Sequence, residues 1–408
     1  MNQFTIKRLG HQGDGVADGP FYVPLTLPGE VVTGVAEGAR VTDVRILTPS
    51  ADRVTPPCRH FKTCGGCQLQ HASDEFVANW KTDLVRELLL SHGIDTDFLP
   101  IHTSPAQSRR RATLAVRRTK KGSLTGFHAR GSDVIVELPD CKLLHPDLIA
   151  ILPDLGGLAG AGGSRKGHLS VTLTQSSAGL DVAVAGGKDL DGALRIALAA
   201  WTEGRGVARL SWDDEVVAMQ APPVQPFGHA QVVPPPGAFL QATADGEAAL
   251  LAAVRAAVGD AGKITDLFAG CGTFSLPLAD QAEVHCVEGE AAMMAALDQG
   301  WRRATGLKKV THETRDLFRR PLYPDEFRHV EAVVLDPPRA GAEAQVEQLA
   351  KSDVQKIAYV SCNPGTFARD AACLTKSGFQ LVWVQVVDQF RWSPHTELAA
   401  AFTRTHMV

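Results

Sequence analysis

The segment Lys356-Ile-Ala-Tyr-Val-Ser361-Cys362-Asn363-Pro364 reads as an apolar strand that ends on a cysteine and breaks at a proline. A thiol delivered to a strand end is where an α/β enzyme keeps a nucleophile. Cysteine is more often a small buried hydrophobe, and Cys271, Cys286 and Cys373 are assigned to that role. A second apolar strand opens into a glycine turn and a helix start, Ile264-Thr-Asp266-Leu267-Phe268-Ala269-Gly270-Cys271-Gly272-Thr273-Phe274. Glycines there let the backbone turn sharply and approach a ligand closely. The next strand ends on Glu288, at the spacing of about twenty residues from which a carboxylate accepts hydrogen bonds from ribose hydroxyls. Asp316 follows the strand after that, and Asp336-Pro337-Pro338-Arg339 closes the strand Ala332-Val-Val-Leu. Consecutive prolines remove two N–H donors and stiffen the turn, so Asp336 is held rigidly facing the pocket. The chain lacks both Gly-x-Gly-x-x-Gly at the required place and a Gly-Lys-Ser/Thr phosphate loop, which disfavours a pyrophosphate ligand. An adenosine carrying a sulfonium fits the three carboxylates better.

Four further cysteines form a separate set, Cys58-x5-Cys64-x2-Cys67 with Cys141 following after 73 intervening residues. Four thiolates can hold zinc or a [4Fe-4S] cluster. Structural zinc usually takes two short knuckles, so three local ligands and one distant one favour the cluster. Disulfides are disfavoured because the first residues, Met1-Asn-Gln-Phe-Thr-Ile-Lys-Arg, lack an apolar signal region.

A chain of 408 residues, 44% of them hydrophobic, has the size for two to four packed domains. No uncharged apolar run reaches the length of about 18 residues that spans a bilayer, so a cytoplasmic protein is expected. The net charge of −4 excludes a uniformly basic nucleic-acid coat. Any polyanion site must be local, and the run Arg109, Arg110, Arg111, Arg117, Arg118, Lys120 and Lys121, free of acids, is the candidate. Its alternative is a solvated strand edge.

Positioning elements can be read around these residues. Short β-type runs between glycine and proline turns predict a small barrel over residues 1–50. Apolar positions Phe76, Trp80, Leu84, Val85, Leu88 and Leu89 predict a helix over 74–91. Strand alternation follows to about residue 220, with the glycine-rich stretch Gly156 to Gly167 expected as a surface loop. After Pro234-Pro235-Pro236 helices and strands alternate to the end, which predicts a doubly wound α/β sheet.

Together Asp-Leu-Phe-x-Gly-x-Gly-Thr-Phe, Asp336-Pro-Pro-Arg-x-Gly341, Ser361-Cys362-Asn363-Pro364 and His395-Thr396-Glu397 resemble, in order and spacing, the uracil-5 RNA methyltransferases. These enzymes make 5-methyluridine in transfer or ribosomal RNA. The N-terminal part resembles the TRAM barrel and four-cysteine cluster of the ribosomal members. The resemblance implies a multidomain α/β protein: an OB-like barrel over 1–50 that binds RNA, a central β-rich α+β domain over 51–228 with the iron-sulfur site, and a Rossmann-like methyltransferase domain over 229–408. It also implies that Cys362 is the nucleophile, Glu397 the base, and Gln241, Phe268, Thr273, Glu288, Asp316 and Asp336 the contacts to S-adenosylmethionine. Cys58, Cys64, Cys67 and Cys141 would hold a [4Fe-4S] cluster, with zinc the lesser alternative. The expected partner is RNA, ribosomal rather than transfer, and the expected state a monomer. Two positions depart from the family pattern: Thr273 stands where Asn is frequent, and Phe239-Leu-Gln241-Ala-Thr243 replaces Phe-x-Gln-x-Asn. Alternatives are a transfer-RNA uridine enzyme, an RNA cytosine-5 enzyme, or a non-catalytic RNA-binding or ribosome-assembly factor. The cytosine enzymes carry a Pro-Cys pair near the acid-Pro-Pro strand, which Asp336-Pro-Pro-Arg lacks. Retention of both Cys362 and Glu397 speaks against the binding factor.

Overall fold

The computed structural model describes residues 2–19 and 21–404. Met1, Pro20 and residues 405–408, which fall within the expected first and last domains, lie outside the described residues. At the N-terminus five strands, Asn2–Leu9, Gly15–Ala17, Phe21–Val23, Arg40–Thr48 and Val31–Glu37 in spatial order, close into a barrel. Their alternation turns Phe4, Ile6, Val23, Val32 and Val41 inward as its core. The barrel is narrow: a Cβ on Gly34 would lie 2.4 Å from the Val41 side chain. Buried Glu30 fastens the barrel to the following linker through Arg53, whose Nε lies 2.5 Å from its carboxylate.

A seven-stranded sheet forms the middle of the molecule, with Leu169–Ser176 paired to Arg111–Arg118 on one side and Gly179–Ala185 on the other. The glycine-rich stretch expected as a loop contains a helix, Gly156–Gly162. Leu158 and Ala159 of that helix are buried, and its glycines permit close approach to indole rings. A Cβ on Gly157 would lie 2.9 Å from Trp201 and one on Gly162 2.5 Å from Trp212. Packing overrides the low helix propensity of glycine here.

The C-terminal sheet has eight strands in the order Val310–Thr314, Glu283–Glu288, Lys263–Leu267, Ala332–Leu335, Lys356–Ser361, Leu398–Arg404, Phe379–Asp388 and Asp97–Thr103. The first five run parallel, and Leu398–Arg404 is antiparallel to both of its neighbours. Strand order reverses between Lys263–Leu267 and Ala332–Leu335, and in such sheets ligands bind at the carboxyl ends beside that reversal. The eighth strand comes from the segment expected in the central domain; it pairs in parallel with Phe379–Asp388. The helix Asp74–Ser91 also lies on this sheet's side, packed on the helix Pro364–Lys376. Ser73 caps it by accepting from the Phe76 N–H at 3.2 Å, and Asp74 and Glu75 complement its positive end. Its buried face is Val77, Lys81, Val85 and Leu89, a stripe at four-residue spacing interrupted by one charge. No helix among the described residues is long and apolar enough to cross a membrane.

Candidate active site

At the carboxyl ends of the parallel strands lies a cavity of about 700 Å³, and Gln241, Phe268, Thr273, Glu288, Asp316, Asp336, Cys362 and Glu397 all line it. That volume suits a small-molecule ligand with room for a second group. One side is built by the glycine turn. Phe268, Gly270 and Gly272 take the left-handed backbone with φ of 62°, 56° and 92°, a strained choice for phenylalanine that aims its ring at the cavity. A Cβ on Gly270 would meet open space, so that glycine serves its φ. The Gly270 N–H donates to Glu288 at 3.1 Å, and the other oxygen of Glu288 accepts from the Glu290 N–H at 3.1 Å. Asp316 accepts from the N–H groups of Phe318 and Arg319 at 3.0 and 3.3 Å. Phe268 and Phe318 stand with ring centroids 5.5 Å apart, and both rings border the cavity.

The other side joins the proline turn to the thiol. The Arg339 carbonyl accepts from Asn363 Nδ2 at 2.9 Å and Thr366 Oγ1 at 3.3 Å. Asn363 caps the helix Pro364–Lys376 by accepting from the Gly365 N–H. Cys362 is thereby fixed between a strand end and a helix start. Glu397 enters from the antiparallel pair and is 3% exposed. Gln389 accepts the Ala242 N–H at 2.7 Å and donates its amide N–H to Gln241 Oε1 at 2.5 Å and to the Glu397 carboxylate. One amide thus joins Glu397 to Gln241, whose own amide lies 3.4 Å from Asp336.

The electrostatics of this cavity are dominated by buried acids. Burial pushes the Glu397 carboxyl up to about 7, against the hydrogen bond from Gln389. Asp336 is raised well above the usual carboxylate range by burial and then by the Glu397 and Glu288 charges. Asp266, behind the turn, is pushed up to about 7 by burial; one of its oxygens accepts from Ser275 and the other is unpartnered. The Cys362 thiol is raised as well, by burial first and then by Glu397 and Asp336, with Arg339 opposing. Burial and then the neighbouring carboxylates thus outweigh the following helix start, whose positive end would favour the thiolate.

The four remaining cysteines of the metal set, Cys58, Cys64, Cys67 and Cys141, line a second, small and enclosed cavity beside Phe61, Phe127, Leu138 and Leu143. Burial, and after it like charges among them, raises the thiols of Cys64, Cys67 and Cys141, Cys67 to about 12. Donors already face the sulfurs: the Gly66 N–H lies 3.4 Å from Cys64 Sγ, and Arg109 and Arg130 stand near enough to favour thiolates. Among the described residues no group of three or more His, Cys, Asp or Glu side chains closes to the spacing that holds a metal ion. By donor type alone, four thiols on one small cavity are the ligands that an iron-sulfur cluster takes. Cys271 and Cys286 are buried as expected, whereas Cys373 is half-buried.

The basic run proves divided. Arg110 pairs with Glu247 at 2.5 Å, and Arg111 donates to the carbonyls of Ala238 and Gly237 at 3.2 and 3.0 Å. Arg109 and Arg111 border the active-site cavity, so the run is no continuous phosphate-facing stripe. Two residues were missed from sequence. Gln389 gave no motif signal beyond its place at the end of a strand. Lys81 was legible as a charge in the middle of an apolar stripe.

The profile of a family described as tRNA (Uracil-5-)-methyltransferase matches residues 304–405. An RNA methyltransferase of Brucella suis is 46% identical over 98% of each chain. The 23S rRNA (uracil(1939)-C(5))-methyltransferase RlmD of Chromohalobacter salexigens is 32% identical, covering 98% of this chain and 89% of that one. In fold, the chain is similar to the Pyrococcus abyssi tRNA (uracil-54, C5)-methyltransferase solved with S-adenosyl-L-homocysteine, with a TM-score of 0.76, 22% identity and coverage of 98% and 99% of the two chains. Full-length identity to such relatives, together with the matched profile, means that this chain belongs to the family of S-adenosylmethionine-dependent uracil-5 RNA methyltransferases.

Proposed function

We propose that this enzyme methylates carbon 5 of a uridine in ribosomal RNA through a covalent adduct on Cys362, acting as a cytoplasmic monomer. The observation that carries the mechanism is the common cavity of Cys362, Asp336 and Glu397 at the mouth of the glycine turn. Bound S-adenosylmethionine supplies a methyl carbon activated by its sulfonium charge and leaves as the neutral thioether. Glu288 and Asp316, with Phe268 and Thr273, would hold its ribose and base, and Gln241 and Asp336 would contact it as well. Carbon 5 of uracil is a weak nucleophile. The Cys362 Sγ bonds to carbon 6, and the π electrons of the ring move onto oxygen 4 as an enolate that is nucleophilic at carbon 5. After methyl transfer carbon 5 still carries its proton. The Glu397 carboxylate takes that proton, the electron pair re-forms the double bond, and the bond from carbon 6 to Sγ breaks to return the thiolate. A carboxyl pushed up to about 7 is well matched to that task near neutral pH.

In the same reading the barrel is a TRAM-type RNA-binding module, and Cys58, Cys64, Cys67 and Cys141 hold a [4Fe-4S] cluster. With four protein ligands that cluster is closed, and it supplies structure rather than radical chemistry. Support for ribosomal RNA comes from the relative of Chromohalobacter salexigens. The matched profile carries the name of transfer-RNA enzymes, which makes transfer RNA the second reading. Nucleoside mass spectrometry of ribosomal and transfer RNA, from cells with and without the gene, tests both. Loss of one 5-methyluridine from ribosomal RNA is expected; loss from transfer RNA alone would overturn the target, and no change in either would overturn the activity.

A further inference from the structure

Glu397 ends a segment, Gln389 to Glu397, that leaves the strand Phe379–Asp388 and returns to the strand Leu398–Arg404. Both ends of this segment converge on one ammonium group from a distant helix. Lys81 Nζ lies 2.6 Å from Asp388 Oδ1, 2.8 Å from the His395 carbonyl and 3.4 Å from the Phe390 carbonyl. Lys81 is fully buried and Asp388 is 1% exposed. Asp388 immediately precedes Gln389, whose amide holds both Glu397 and Gln241; His395 lies two residues before the base. Other ties run the same way. Arg391 reaches Asp74 on the same helix at 2.5 Å and the Ser104 carbonyl at 3.2 Å. The Trp392 carbonyl accepts from the N–H groups of Gln68 and Leu69 at 2.8 and 2.9 Å.

We infer that Lys81 is a positioning residue for proton removal: by holding Asp388 and the His395 carbonyl together it fixes the segment that aims Glu397 at carbon 5. A buried ion pair adds little net stability over well-packed apolar groups, so its effect falls on geometry. The inference rests on the mechanism proposed above and concerns its last step. Cys362 is carried by a different strand end, and the Gln241 backbone is held separately by Arg110 Nε on its carbonyl at 3.2 Å, so addition and methyl transfer depend on Lys81 less than proton removal does. Displacing a general base by about 1 Å lowers its rate on the order of a hundredfold.

The test uses the full chain with its cluster, Lys81→Met, the charge-neutral pair Lys81→Met/Asp388→Asn, and Lys81→Arg. Lys81→Met alone leaves a buried carboxylate without its partner and can fail to fold; the double variant keeps the packing without that charge. With methyl-labelled donor and natural RNA, the double variant is expected to lose on the order of a hundredfold in kcat at unchanged KM for RNA. Label should accumulate in a protein–RNA species stable on a denaturing gel, because the methylated adduct forms and does not eliminate. Lys81→Arg should recover part of kcat. Wild-type turnover in a folded double variant overturns the inference, as does a parallel loss of methyl transfer and elimination with no accumulated species. The wild-type control on 5-fluorouridine RNA separates the two levels. If it forms no adduct at Cys362, the covalent mechanism fails; if it does, and the double variant accumulates nothing on natural RNA, only the role of Lys81 fails.

Discussion

The molecule keeps thiols in two cavities, and in the proposed reading their surroundings give them opposite tasks. Cys362 sits in a wide cavity with Asp336 and Glu397, where burial pushes both of these carboxyls up. Cys58, Cys64, Cys67 and Cys141 share a small enclosed one whose other walls are mostly apolar. Thiols in both are raised, yet the first has a cavity of about 700 Å³, the room that the proposed donor and a flipped base would need. The second has four sulfurs and almost no space. A raised thiol is therefore no signature of catalysis in itself; what stands around it decides whether it waits for a substrate or for a metal.

The largest expected effect separates these two. Cys362→Ser should lower turnover on the order of 10⁴-fold or more, with the melting temperature unchanged. Cys67→Ser should do the reverse in kind, losing several kcal/mol of stability because metal binding is folding free energy in such sites. Thermal melts and single-turnover rates on both variants check this. A Cys67→Ser protein that melts like the parent would break the comparison.

Next in size is the pH dependence of the base. Glu397 must be ionised to accept a proton, so turnover should rise with pH through about 7. Its stability effect has the opposite slope. The folded value of about 7 lies above the ordinary 4.5, so the folded state binds the proton more tightly. Stability from this group is full below the ordinary value and lost as pH rises through the folded one. Glu397→Gln should accordingly gain roughly 2 to 3 kcal/mol over the parent at high pH and almost nothing in acid. Denaturant melts at the two pH values measure it, and equal differences at both would contradict the burial argument.

Much of this site was legible in residue order because strand ends in a parallel sheet face one crevice. Asp266, Glu288, Asp336 and Cys362 each follow an apolar run, and finding the runs found the cavity. What could not be read was lateral contact. Gln389 joins Glu397 to Gln241 across 148 positions of sequence, and nothing local announces an amide that bridges two distant segments. The eighth strand, Asp97–Thr103, pairs with Phe379–Asp388, a long-range choice that alternation alone cannot specify. The helix Gly156–Gly162 was hidden because its glycines read as a loop until Trp201 and Trp212 are seen against them.

Two smaller effects sharpen the contrast from the polar side. Glu288→Ala removes an acceptor from the Gly270 N–H and the ribose contact proposed for it, and should weaken donor binding about tenfold, read by calorimetry. Arg109 borders the active-site cavity whereas Arg110 is committed to Glu247. Arg109→Ala should reduce the salt slope of RNA affinity by about 1, and Arg110→Ala should leave that slope alone while lowering stability. Equal slopes for both would remove the distinction drawn within the basic run.

Mass spectrometry of the protein after incubation with S-adenosylmethionine and 5-fluorouridine-substituted RNA tests the covalent step most directly. Fluorine at carbon 5 cannot leave as a proton does, so elimination stalls and the adduct persists. The nucleotide should be found on the peptide carrying Cys362 and be absent from Cys362→Ala. An adduct on any other peptide, or none from a preparation that methylates natural RNA, would contradict it.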